Sequence, residues 1–446
     1  MINIFAYALN AIRAAFIFLL SATMVGSLVP AGRDYTFGIE CKAERYEARA
    51  RILASSIEIT HYNKFIPMLH NNSSNHFTPS GCWDAAALLT MYTQLARLDG
   101  RNRNNPFVRE ADRVLYMLEF YGRRELFNGF SIATGEWSMF RNNIDDSVPE
   151  NHVYYDDNMW IGRDLVALYN LTGNERYLNH AIAIADMLIA EGWDYLDEDM
   201  FTVHFGRAPG GPLGGWYWRD DKVSLHVCSN GPAIQYFVML ANAIGLEDER
   251  AQAYIDYAKM SYRFLRYLER PNGVFWDLMN FHKDEGNKIT GIRGPAGASW
   301  TYNSGTPISS AIELYKLTGE QHYLDDAIRW GAGAHAYFPR ESTVPGVKTF
   351  LDLPWFREIL LMGYMDLYAY DKENALGYIQ AMETAINYGY EHHRLNGVFG
   401  YNKNHIPRDW VNGFRDDEQK QSGAALEQIP NAGIYAALSM FYADLK

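Results

Sequence analysis

Cysteine is scarce in this chain. Cys41, Cys82 and Cys228 are the only three in 446 residues, which allows at most one disulfide and leaves an odd thiol. None belongs to a Cys-x-x-Cys and none sits near clustered histidines, so a zinc centre is not expected. Positive charge is short as well: 40 basic against 53 acidic residues give a formal net charge of −13, with no Lys/Arg stripe. That balance argues against nucleic acid as a partner and disfavours anionic substrates, while neutral sugars are indifferent to it. Past residue 29 no run approaches the roughly 18 apolar residues of a membrane span. The closing Ala443-Asp444-Leu445-Lys446 holds no hydrophobic tail for a lipid anchor. There is no Gly-rich phosphate loop, no Gly-x-Ser-x-Gly elbow and no metal-spaced His/Glu cluster, so neither a metal nor an organic cofactor is expected.

At the N-terminus Arg13 precedes the apolar run Ala14 to Leu20, which fades through Val29 into Pro30-Ala31-Gly32. Residues 1–32 therefore read as a secretory signal or a signal anchor. The expected setting is secreted or envelope-exposed, with this segment as the only candidate for membrane attachment. Asn71-Asn72-Ser73-Ser74 and Asn170-Leu171-Thr172 are glycosylation sequons, meaningful in a eukaryote. The chain is 48% hydrophobic and 21% charged, so a sizeable core is expected. Aromatic residues reach 15%, including 31 Tyr and 11 Trp. That is a surplus of the kind that lines grooves as well as cores.

Apolar residues recur at helical spacing along most of the chain. Predicted helices cover 44–62, 83–98, 107–121, 159–171, 176–190, 234–244, 250–268, 356–370, 374–392 and 424–445. The phrase Leu168-Tyr169-Asn170-Leu171-Thr172-Gly173 recurs as Leu314-Tyr315-Lys316-Leu317-Thr318-Gly319, and each copy continues with Tyr-Leu and an Ala-rich helix. This is a repeated helical hairpin with a Gly turn. About six such pairs, roughly twelve helices, predict one closed (α/α)6 toroid over residues 40–446. Ser80-Gly81, Ser229-Asn230-Gly231, Ser304-Gly305 and Ser422-Gly423 read as small capping residues that open inner helices. Asp156-Asp157-Asn158 stands at the matching place in its own repeat, so these helix starts should line a common cleft.

The stretch Tyr154-Tyr155-Asp156-Asp157-Asn158-Met159-Trp160 sets two adjacent carboxylates in an aromatic frame ahead of a helix. Two readings compete: a cap for the helix, or a pair for general acid/base and nucleophilic work on a glycoside. The sibling helices are predicted to open on Ser, Gly and Asn, so a cap does not require two charges. Like charges side by side are easier to hold if one is protonated. Asp145-Asp146, Asp325-Asp326 and Asp416-Asp417 lack the aromatic frame and read as solvated surface. In Gly214-Gly215-Trp216-Tyr217-Trp218-Arg219-Asp220-Asp221 the rings suit sugar faces and Asp221 a sugar hydroxyl, or else the loop is structural. Trp300-Thr301-Tyr302-Asn303 reads the same way, and Asn230 suits either a sugar or a cap. Gly273-Val274-Phe275-Trp276 and Gly397-Val398-Phe399-Gly400 read as structural turns. The histidines are scattered and receive no catalytic role.

Tyr155 to Trp160, Leu168 to Gly173, Gly214 to Trp218, Ser229-Asn230-Gly231 and Trp300 to Asn303 together resemble glycoside hydrolase family 76. That family contains endo-α-1,6-mannanases and related fungal cell-wall transglycosidases. The resemblance runs from about Cys82 to the C-terminus. It implies an (α/α)6 fold and retaining cleavage of α-1,6-linked mannan, with Asp156 as nucleophile and Asp157 as general acid/base. The implied sugar contacts are Tyr155, Asn158, Trp216, Trp218, Asp221, Asn230, Trp300, Tyr302 and Asn303. Two features depart from the family pattern. Ser224-Leu225-His226-Val227-Cys228 replaces a shorter lead-in, and Arg163 and Asp164 stand where small or apolar residues are usual. The rival readings are a transglycosidase of the same fold and a glycan-binding toroid without catalysis.

Overall fold

The computed structural model describes residues 40–445 apart from 64–66, 73–74, 101–103, 123, 128–129, 134–139, 141, 143–151, 396–403 and 417–422. The N-terminal signal or anchor segment, Asp145-Asp146, Gly397 to Gly400 and Ser422 lie outside the described residues. Among the described residues thirteen α-helices follow one another: α1 Lys42–Thr60, α2 Cys82–Asp99, α3 Pro106–Leu118, α4 Tyr155–Thr172, α5 Glu175–Met187, α6 Glu198–Phe205, α7 Val227–Ile244, α8 Glu249–Leu265, α9 Tyr302–Thr318, α10 Gln321–Tyr337, α11 Pro354–Tyr368, α12 Lys372–Tyr388 and α13 Ala425–Asp444. None is long and apolar enough to cross a membrane.

Six of them form an inner ring in which each packs on the next: α2, α4, α7, α9, α11, α13 and back to α2. An outer helix backs each one: α3 on α2, α5 on α4, α8 on α7, α10 on α9, α12 on α11, and α1 on α13. The ring is thus an (α/α)6 toroid, and the first helix closes it by lying against the last. Inner and outer helices differ in the width of their buried face. Residues 84–96 of α2 are all buried, whereas α3 buries Ala111, Val114, Leu115 and Leu118, the narrow stripe of a helix with one face in solvent. Where α9 meets α11 the backbones almost touch: a Cβ on Gly305 would lie 2.4 Å from the Ile359 carbonyl oxygen.

The repeated phrase folds the same way twice. Gly173 and Gly319 both adopt the left-handed conformation that ends α4 and α9. Thr172 Oγ1 donates to the Leu168 carbonyl at 2.7 Å and Thr318 Oγ1 to that of Leu314 at 2.8 Å.

Several inner helices start earlier than their hydrophobic pattern suggests. α4 begins at Tyr155, not Met159, which puts both aspartates inside its first turn. α7 begins at Val227, not Ile234, and runs through Pro232. Ser229, Asn230, Ser304 and Gly305 therefore sit within first turns and do not cap them. Small antiparallel sheets decorate the end of the ring where these helices start. Trp193–Leu196 pairs with Leu213–Trp216, and Leu278–Lys283 pairs with both Ser224–His226 and Ile289–Ala296.

Candidate active site

Tyr154 is the N-cap of α4, extended and without a side-chain cap bond. The Tyr155 N–H is met from outside, by the Trp218 carbonyl at 2.9 Å. Both aspartates lie inside the first turn and are buried, only 6% and 5% exposed. Burial pushes both carboxyls above their ordinary range, because neither charged form is well solvated. The charges of Asp156 and Asp84 push Asp157 further up. Asp156 is drawn back by the Cys228 thiol, the first-turn N–H groups of Asp156 and Asp157, and the Trp218 side chain. Its Oδ1 has no hydrogen-bond partner among the described residues. Of the two, Asp157 is pushed up the further and is the harder to ionise.

The neighbours come from the starts of adjacent inner helices. From α2, Asp84 Oδ2 accepts the Gly81 N–H at 3.1 Å, and burial raises this carboxyl to about 7. Cys82 and Cys228 are both free and buried, and burial pushes their thiols up, beside the two aspartates. Across the recess stands Asp277, whose side chain is 18% exposed. Its Oδ1 accepts Asn303 Nδ2 at 2.9 Å and the Tyr302 hydroxyl at 3.4 Å. Tyr302 also feels the charge of Asp156, so the Asp277 wall faces the acid pair. His226 lies 3.9 Å from Asp277 and stacks on Trp218. Trp300 and Tyr302 are half-buried against Phe356, at ring separations of 6.1 and 4.2 Å. A cavity of about 420 Å³ that holds His335, Lys348 and Gln380 lies on α10 and α12 in the outer layer, and shares none of these residues.

Of the sugar contacts expected from sequence, Trp218 and Tyr302 interact with Asp156 and Asn303 joins them through Asp277, while Trp300 lies against Phe356. Asp221 does not join them; it is tied to Arg219 Nε at 2.6 Å. Four others turn out to be scaffold. The Tyr155 hydroxyl donates to the Glu191 carbonyl at 3.1 Å and its ring covers Gly192. Trp216 is fully buried and its indole donates to the Leu188 carbonyl. Asn158 and Asn230, fourth residues of α4 and α7, are clamps. Asn158 holds both backbone groups of Phe140, at 2.9 and 3.0 Å, and Asn230 both those of Trp216, at 2.9 Å each. Gln428, fourth in α13, does the same for Ile406 at 3.0 Å each. Amides occupied in this way have little left to offer a ligand.

Asp84, Asp277, His226 and Cys228 were not picked out by sequence. Asp277 follows a turn that reads as structural, as its neighbours Val274 and Phe275 indeed are. The only pointer to it was its place directly after Gly273-Val274-Phe275-Trp276, in the chain's aromatic-rich loops.

Residues 45–349 match the family described as Glycosyl hydrolase family 76. Solved structures share the fold. A family 76 mannosidase from Bacteroides thetaiotaomicron is 22% identical, covers 90% of this chain and 100% of its own, and superposes with a TM-score of 0.69. The α-1,6-mannanase from Salegentibacter sp. HEL1_6 is 20% identical over 89% of this chain and 99% of its own, with a TM-score of 0.63. An inactive variant of that mannanase, with two adjacent aspartates replaced by asparagine and α-1,6-mannotriose bound, is 19% identical over the same shares, with a TM-score of 0.62. No curated protein matches the chain.

Proposed function

The chain belongs to glycoside hydrolase family 76, and from that premise we propose that it is a retaining mannanase acting on α-1,6-linked mannan. The observation that carries this reading is the buried pair at the start of α4, two adjacent carboxyls whose surroundings separate their protonation. Asp156, ionised, attacks the anomeric carbon, while Asp157 gives its proton to the departing glycosidic oxygen. A glycosyl ester on Asp156 results. Asp157, now a carboxylate, takes a proton from water as the water oxygen bonds to the anomeric carbon, and Asp156 leaves. Neither step calls for a metal or an organic cofactor. Trp218, Trp300 and Tyr302 offer faces for sugar rings, and Asp277, steadied by Asn303, offers acceptors for hydroxyls. A secretory or anchoring role for residues 1–32 would bring the enzyme to such a glycan outside the cell.

Digestion of α-1,6-mannan by the wild type, Asp156→Asn and Asp157→Asn tests the assignment. Products from the wild type with the α-anomer formed first, and none from either variant, are expected. Full activity in both variants would sink it, and products longer than the substrate would instead mark a transglycosidase.

A further inference from the structure

His226 lies at the junction of the two walls of the recess. It is buried, one residue before α7, and its carbonyl is held by Asn230 Nδ2 at 2.8 Å. Its ring lies 4.7 Å from that of Trp218 and only 31° from parallel. On its other side Trp218 meets Tyr154 edge-on at 5.0 Å. Ser224 Oγ is 2.8 Å from His226 Nε2, and the Ser224 carbonyl accepts the Trp218 backbone N–H at 3.1 Å. Ser224 thus holds the His226 ring and the Trp218 backbone. The remaining nitrogen, Nδ1, faces Asp277 Oδ2 at 3.9 Å.

Burial, with the Arg219 cation nearby, pushes His226 down to about 3. The neutral ring, with a single N–H, is therefore the favoured form. The tautomer that satisfies both sides has Ser224 donating to Nε2 and Nδ1–H turned to the Asp277 carboxyl.

We propose that His226 is a positioning residue: its ring, bonded to Ser224 and set beside Asp277, holds Trp218 against Asp156 and fixes the two walls of the sugar recess relative to each other. The proposal rests on Asp156 as the reacting carboxylate and assigns a role to the segment 224–228, where the chain departs from its family.

The test compares His226→Ala with His226→Phe, which keeps a flat ring. In His226→Ala kcat should fall about 10–100-fold with KM changed less than about 3-fold. The acid limb of kcat/KM should move to higher pH, because Asp156 loses a neighbour that favours its ionised form. His226→Phe should recover kcat to within about 5-fold of wild type. Wild-type kcat and acid limb in His226→Ala would overturn the proposal. So would a rise in KM at constant kcat, which marks a direct substrate contact. An equal loss in both variants with a lowered Tm would overturn it as well, since that marks a fold defect. A readout without mannan keeps the test separate from the assigned activity. In protein labelled with 5-fluorotryptophan, the Trp218 ¹⁹F signal, identified by its loss in Trp218→Phe, should shift in His226→Ala. An unmoved signal overturns the proposal even if the wild type leaves α-1,6-mannan uncut, a result that would itself count only against the assigned activity.

Discussion

At the seam that closes the ring, Arg49 of α1 is 1% exposed, yet its guanidinium is fully engaged. It reaches Glu391 Oε1 and Asn387 Oδ1 at 2.7 Å each and lies 4.4 Å from the face of Tyr390. A turn away, Glu383 accepts Lys42 Nζ at 2.8 Å and the Tyr46 hydroxyl. Every charge there meets an opposite charge or a donor. The first turn of α4 buries charge without a cation. Asp156 and Asp157 face Asp84, two thiols and each other; among the described residues no cation forms an ion pair with them, and Asp156 Oδ1 has no partner. Asp156 is met only by donors without a full charge. The same toroid pairs buried charge with cations at its seam and withholds them from the acid pair.

The largest effect that would sharpen this contrast concerns activity and stability together. Asp157→Asn should lower activity at least about 10³-fold while raising Tm at neutral pH. The sign follows from the raised carboxyl: between its unfolded and folded values the unfolded chain is ionised and the native protein is not, so stability falls as pH rises through that window. Asparagine removes the loss. A lowered Tm in this variant at pH 8 would break the comparison. Next comes the seam, where Arg49→Ala removes the buried guanidinium packed on Tyr390 and bonded to Asn387 and opens the α1 contact. A loss of about 3 kcal/mol in urea unfolding is expected, with kcat per folded molecule unchanged. Asp84→Asn should act in the opposite direction. Asp84 is raised to about 7, so the wild type loses stability between about pH 4 and pH 7, and the variant should gain on the order of 3 kcal/mol over that interval. Thermal melts at pH 4 and pH 8 measure this. The smallest effect belongs to a clamp remote from the acids: Gln428→Ala leaves the Ile406 backbone groups unpaired and should cost about 1–3 kcal/mol, read from the urea midpoint.

The clamps also show why some residues near the acids were misread. Asn158 sits beside acids and aromatics in sequence, and Asn230 stands at a Ser-Asn-Gly helix start, both plausible places for a sugar-binding amide. Only the neighbouring loop, 14 residues before Asn230 in the chain and 18 before Asn158, reveals that their donors and acceptors are taken. The misplaced start of α7 has a local cause. The apolar run that marks the helix sets in only at Ile234, after Ser229-Asn230-Gly231-Pro232, residues of low helix propensity. Pro232 is in fact the sixth residue of the helix, and Cys228 and Ser229 occupy in α7 the positions that Asp156 and Asp157 occupy in α4.

The amino-acid sequence by itself determined the helical hairpins, through apolar periodicity and the Thr-Gly turns at 172–173 and 318–319, and with them the ring. Those are local signals, because a helix and its C-terminal glycine are specified within a few residues. It also singled out Asp156 and Asp157, since two adjacent acids in an aromatic frame stand out without coordinates. Tertiary structure alone decided that Tyr155, Trp216, Asn158 and Asn230 are scaffold, that Asp277 and His226 face the acid pair, and which carboxyl is the harder to ionise. Each of those depends on what lies across the recess, and desolvation and hydrogen-bond occupancy are set by neighbours distant in the chain.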